Sequence, residues 1–295
     1  MKESIITLEN ATHRAQLYPN RGGKTGSFVH KGTGFELLAQ PKDGVYPELW
    51  PDMPFSEGDA SGFDDVFPSM GGETISWDGR EWRVPDHGEI WTMPTVAQVD
   101  ELAVSFVGHG RGFPYEYRKN VSLEGDALRY TFEIINRDQR PLPCVWVCHC
   151  LMRWEEGVSF VFPKESTRLL QLFPEPGVAD TRTSLRDYTQ PPEAGQAMKF
   201  YFAQQVREGR CAAHYAQSHM TAEMTFDPCA LPYLGFWITT GAYRGDKNFA
   251  FEPSNGFFDT VARARQEGRL SELAPGDIMR FHLTLRLRTD TEIRV

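Results

Sequence analysis

Leu142-Pro-Cys-Val-Trp-Val-Cys-His-Cys-Leu-Met-Arg-Trp154 decides the fold. The stretch is almost wholly apolar and rich in β-branched and aromatic residues, which predicts a central strand buried on both faces. A histidine stands in its middle. On a period of two, His149 shares a face with Val145, Val147 and Leu151. A buried imidazole costs free energy unless its nitrogens find partners. His149 is therefore either a hydrogen-bonded, inert core residue or a proton donor at the floor of a cleft that this strand lines.

Outward from that strand, short strand signals run in both directions. Before it come Ile5–Leu8, Ala15–Tyr18, Thr25–Val29 and Phe35–Leu38, then a hairpin of Thr74–Trp77 and Glu81–Val84 about Asp78-Gly79. Thr95–Asp100, Leu102–Val107, Tyr115–Leu123 and Ala127–Ile135 follow. After it come Val158–Phe162, Thr167–Leu172, Met198–Gln204, Cys211–Tyr215, Ala222–Phe226, Leu234–Thr239 and Met279–Arg288. Two long irregular segments interrupt the series, Ala39–Met70 and Phe173–Ala197; loops of that length are usually functional. Asp259–Gln266 is the one convincing helix. The pattern predicts an all-β protein, a large antiparallel sandwich with very little helix. No linker divides it, so residues 1–295 are expected to form one domain.

Composition narrows the function. A net charge of −9 argues against nucleic acid and against anionic membranes as partners. No apolar run spans a bilayer, and the N-terminus lacks the apolar core of a signal peptide. Cys144, Cys148, Cys150, Cys211 and Cys229 form no metal-type pair, and Cys148 and Cys150 share a strand face. Reduced thiols and a cytoplasmic location are expected.

Three constellations could carry chemistry. Asp86-His87-Gly88-Glu89 follows the hairpin; His87 and Glu89 could bind hydroxyls, or join His149 as metal ligands, or simply form a polar turn. No four-ligand spacing appears, so no metal is expected. Phe251-Glu252-Pro253 places a carboxylate where an apolar strand stops at a proline, at the rim of a cleft or merely on the surface. Asp64-Asp65 lies in the first long segment, as a ligand-binding pair or an acidic turn. Arg118, Arg153 and Lys247 could orient a ligand, and Trp91, Trp154 or Trp237 could stack on a sugar.

Taken together, the buried histidine strand, the His87-Gly88 turn and the Glu252-Pro253-x-x-Gly256 strand end resemble the galactose mutarotase-like (aldose 1-epimerase) superfamily. The resemblance covers most of the chain, including Asn136 to His149 and Leu273-Ala-Pro-Gly-Asp277. The chain departs from galactose mutarotases at His87-Gly-Glu and His149-Cys-Leu-Met, which replace His-Gly-Gly and His-x-Tyr-Phe. The resemblance implies a β supersandwich and cofactor-free interconversion of sugar anomers. Glu252 would be the base and a protonated His149 the acid, with His87 binding hydroxyls. The family's aspartate has no matching position in this chain; Asp64, Asp65, Glu89, Arg153, Trp237 and Lys247 are expected around a monosaccharide or sugar phosphate from their residue types alone. A non-catalytic carbohydrate-binding domain of the same fold is the alternative. A monomer or homodimer is expected.

Overall fold

The computed structural model describes residues 4–58, 60–164, 168–174, 176–180 and 192–292. Among them, strands assemble into a twelve-stranded and an eight-stranded sheet, with two small two-stranded ribbons. All the strand pairings are antiparallel, as the repeated short turns demand. One apolar core joins the two large sheets: Phe28, Phe63 and Phe251 from the larger pack with Phe106, Tyr117, Phe132 and Leu285 from the smaller. Among the described residues the α-helix is Val261–Gln266, capped by the Thr260 hydroxyl on the Arg263 amide. Asp259, expected inside the helix, lies just before its cap. No helix of the described residues is long and apolar enough to cross a membrane, and all five cysteines are free thiols.

Four details of the expected layout change. The stretch Leu142–Trp154 is not one strand. Leu142–Cys144 pairs with Ser271–Leu273 in a ribbon, Val147–Cys150 enters the twelve-stranded sheet, and Met152–Arg153 follows after a break. At the first break the Trp146 amide donates to the Asn255 side chain instead of a ladder partner (2.6 Å). Ala39–Met70 is not wholly irregular: Phe63–Val66 is a strand beside Val147–Cys150. The second long segment is not wholly irregular either: Gly177–Asp180 is a strand paired with Arg168–Phe173, while residues 175 and 181–191 lie outside those described. Glu252 is not at a strand end. Its strand, Lys247–Ser254, runs through Pro253, which is tolerated where the ladder asks no donor of it.

The break in the histidine strand matters most. Toward Lys247–Ser254 it keeps only the pairings Val147↔Ser254, Met152↔Phe249 and Arg153↔Asn248. Counting two residues in from the first pairing, or three back from the second, gives the same result. His149 stands opposite Glu252, where the ladder is open.

Candidate active site

Alternation along three adjacent strands builds the site floor. On Lys247–Ser254, Phe249 and Phe251 enter the core, leaving Asn248, Ala250 and Glu252 on the other face. Cross-strand register sets Gly235 beside Glu252, Trp237 beside Ala250, and Lys199 beside Trp237. Above this floor opens a cleft of about 310 Å³, within the range of small-molecule sites. Its walls include His149, Lys199, Trp237, Asn248, Glu252 and Asp259. Phe55, Asp86, His87, Tyr243, Arg244 and Asp246 also line it.

His149 and Glu252 thus line one cleft, as the resemblance implies. Both are buried, at 5% and 1% exposure. His149 Nδ1 has no hydrogen-bond partner. Burial, then the charges of His87, Lys199 and Lys24, push the imidazole well below its usual value, so His149 is neutral. The expectation of a protonated His149 is corrected on this point: the cation beside Glu252 is Lys199. Its Nζ lies 2.8 Å from Glu252 Oε2, an ion pair by distance although not aligned as a hydrogen bond, and 2.9 Å from Asp259 Oδ1. Burial raises Glu252 above the usual carboxylate range, against the pull of Lys199.

His87 adopts a left-handed backbone (φ 59°) followed by Gly88 (φ 70°). A Cβ at Gly88 would lie 2.1 Å from the Phe67 carbonyl, so the turn requires glycine there. The turn presents the His87 ring stacked on Phe55 (3.8 Å between centroids, 13°) and edge-on to His149 (5.0 Å). Asp86 Oδ1 lies 2.9 Å from His87 Nδ1 and orients the ring. Trp237 lines the cleft, its indole donating to Asn248 Oδ1 (3.2 Å).

Other expected site residues lie elsewhere. Asp65 is not in a loop at the cleft: it is buried in the core, paired with Lys119 (2.7 Å) and accepting from the Tyr117 hydroxyl (2.7 Å). Asp64, register partner of His149, is buried and paired with Lys24 (2.6 Å), outside the cleft lining. Glu89 turns away to accept the Arg111 and Gly112 amides (2.9 and 2.6 Å), pinning that loop. Arg153 and Lys247 line a neighbouring shallow depression, which also holds the acids Glu36 and Asp246. Among the described residues, no three His, Cys, Asp or Glu are grouped to hold a metal ion. The sequence reading passed over Lys199 and Asp259. Lys199 had a signal: like His149, it is a lone polar residue in an apolar strand, Ala197-Met-Lys-Phe-Tyr-Phe202.

Residues 109–287 match the family model described as a domain of unknown function, DUF4432. The chain belongs to that family. No curated protein matches its sequence. Solved structures do match. The Slr1438 protein of Synechocystis sp. PCC 6803 superposes with a TM-score of 0.79 at 18% identity, over 98% of this chain and 97% of that one. A provisionally named aldose 1-epimerase of Escherichia coli K12 gives 0.73 at 17%, over 97% and 99%. A galactose mutarotase-like protein of Lactobacillus casei ATCC 334 gives 0.71 at 15%, over 97% and 100%. At these identities the likeness is one of fold: this DUF4432 chain has the galactose mutarotase-like β supersandwich.

Proposed function

We propose that the chain is an aldose 1-epimerase, exchanging the α and β anomers of a sugar bound in the cleft. The observation that carries this reading is the convergence of Glu252 and a neutral His149 across the open ladder, beside Trp237. Glu252, paired with Lys199, takes the proton from the anomeric hydroxyl. As the bond from C1 to the ring oxygen breaks, His149 donates a hydrogen bond to the oxygen that gains charge. A neutral imidazole can serve as such an electrophile. Rotation about C1–C2 turns the other face of the aldehyde to that oxygen. Ring closure then returns the proton from Glu252 to the new anomeric oxygen. No cofactor enters this sequence. His87 and Asp86 hold hydroxyls on one side, and Trp237 packs against the ring.

The test is saturation-transfer NMR between the two anomeric C1–H signals, over a panel of neutral and phosphorylated aldoses. The protein should accelerate exchange for at least one sugar. Glu252→Gln keeps shape but cannot accept a proton, and should lower that rate about 10²-fold or more while binding changes less than about tenfold. No acceleration across the panel contradicts the reading and favours a carbohydrate-binding domain.

A further inference from the structure

Lys199 is an unusual residue to find in the floor of a cleft. Lysine is rarely fully buried unless paired, and here the side chain is only 8% exposed and stands between two carboxylates. It reaches Glu252 diagonally across the sheet, from the register position opposite Trp237. A Cβ at Gly235 would lie 3.1 Å from Glu252 Oε2 and 3.1 Å from the Tyr201 ring, so the missing side chain leaves room for the Glu252 carboxylate. Asp259 is itself fixed, accepting the Tyr201 hydroxyl at 2.8 Å. The Lys199 ammonium also contacts the Met70 sulfur, a weak acceptor (2.7 Å).

We propose that Lys199 is a positioning residue of this cleft: held by Asp259, its ammonium fixes the Glu252 carboxylate against the floor and keeps it anionic. This rests on Glu252 being the proton acceptor proposed above. The electrostatics agree. Lys199 draws Glu252 down against burial, and Asp259 pushes it up. Burial opposes the ammonium, but the charges of Asp259 and Glu252 outweigh it, so Lys199 is raised and stays protonated. That state disqualifies it as a Schiff-base nucleophile and suits it as a fixed counter-charge. The arrangement separates two jobs that a protonated histidine would combine: the lysine supplies charge, and His149 supplies a hydrogen-bonding group.

The experiment titrates Glu252 directly in the substrate-free protein. The carboxyl ¹³C signal is assigned by its disappearance in Glu252→Gln. Lys199→Met should raise the Glu252 midpoint by about one unit or more, a tenfold change in proton affinity. Asp259→Asn should lower it, and keeps the acceptor for Tyr201 should Lys199→Met fail to fold. Opposite shifts are not produced by general loosening of the cleft. An unmoved midpoint in Asp259→Asn or in a folded Lys199→Met, or two shifts of the same sign, overturns the proposal. If anomer exchange is catalysed, Lys199→Met should also move the acid limb of kcat/KM to higher pH, and Lys199→Arg should restore it in part. Because the titration needs no sugar, its outcome stands apart from whether the protein is an epimerase. Absent exchange with opposite shifts fails only the functional reading, and catalysed exchange with unmoved midpoints fails only Lys199's role.

Discussion

Among the described residues the molecule buries several lysine–carboxylate pairs, Lys24–Asp64 among them, and two others serve different ends. Lys119–Asp65 is sealed between the sheets, with both side chains at 1% exposure or less and the Tyr117 hydroxyl completing the cluster. Lys199–Glu252–Asp259 uses the same chemistry, but all three line the cleft. In the core, the ammonium lies 4.9, 5.3 and 5.6 Å from the rings of Phe63, Tyr130 and Phe132, and the lysine side chain has no solvent exposure. In the cleft, the carboxylate faces space that a ligand can fill. Charge type does not separate structure from function here; what the pair faces does.

The largest effect should come from the sealed pair. Removing one partner strands a buried charge, which typically costs about 3–5 kcal/mol. Lys119→Met should therefore lower the denaturation midpoint sharply in urea titrations. A midpoint equal to wild type would mean that water or another group satisfies Asp65, and the contrast between the two pairs would weaken.

His149 lies at the boundary between the two regions, and its effects should be split. His149→Asn keeps a donor of similar reach, so the fold should persist. Loss of the imidazole should slow exchange about 10²-fold, equivalent to about 2.7 kcal/mol. Stability should respond to pH in a definite direction. The folded imidazole resists protonation, whereas the unfolded chain takes up its proton near the ordinary value of 6.5. Wild type should therefore lose stability relative to the variant as pH falls below that value, by about 1.4 kcal/mol per unit. A pH-independent difference between the two would show that His149 is not held neutral.

The smallest effect belongs to Glu89, which sits in the site-like motif but works as structure. Glu89→Gln leaves one of the two backbone amides with no acceptor and the other with a neutral one, and should cost about 1–2 kcal/mol. Exchange by the folded variant should be unchanged. A large fall in rate at wild-type stability would return Glu89 to the cleft.

Much of this was legible from the sequence, for stated reasons. Period-two alternation and frequent turns carry the all-β layout, because strand faces are written locally. His149 and Glu252 were visible as polar residues in apolar strands. The fate of Asp64 and Asp65 was not, because the lysines that neutralise them come from elsewhere in the chain, at Lys24 and Lys119. Nor was the protonation of His149, which depends on burial and on charges from three other segments. The break at Cys148–Leu151, which opens the ladder beside Glu252, is equally invisible in a run of apolar residues. Lys199 could have been noticed by the criterion that found His149.

The most direct test measures two variants side by side, Glu252→Gln and Lys119→Met, each for urea stability and for anomer exchange per folded molecule. The account predicts a crossed result. Glu252→Gln stays close to wild type in stability and loses about 10²-fold or more in exchange, while Lys119→Met loses stability and keeps its exchange rate. Wild-type exchange in Glu252→Gln would contradict the central claim, that the cleft pair works on a sugar while the core pair holds the fold.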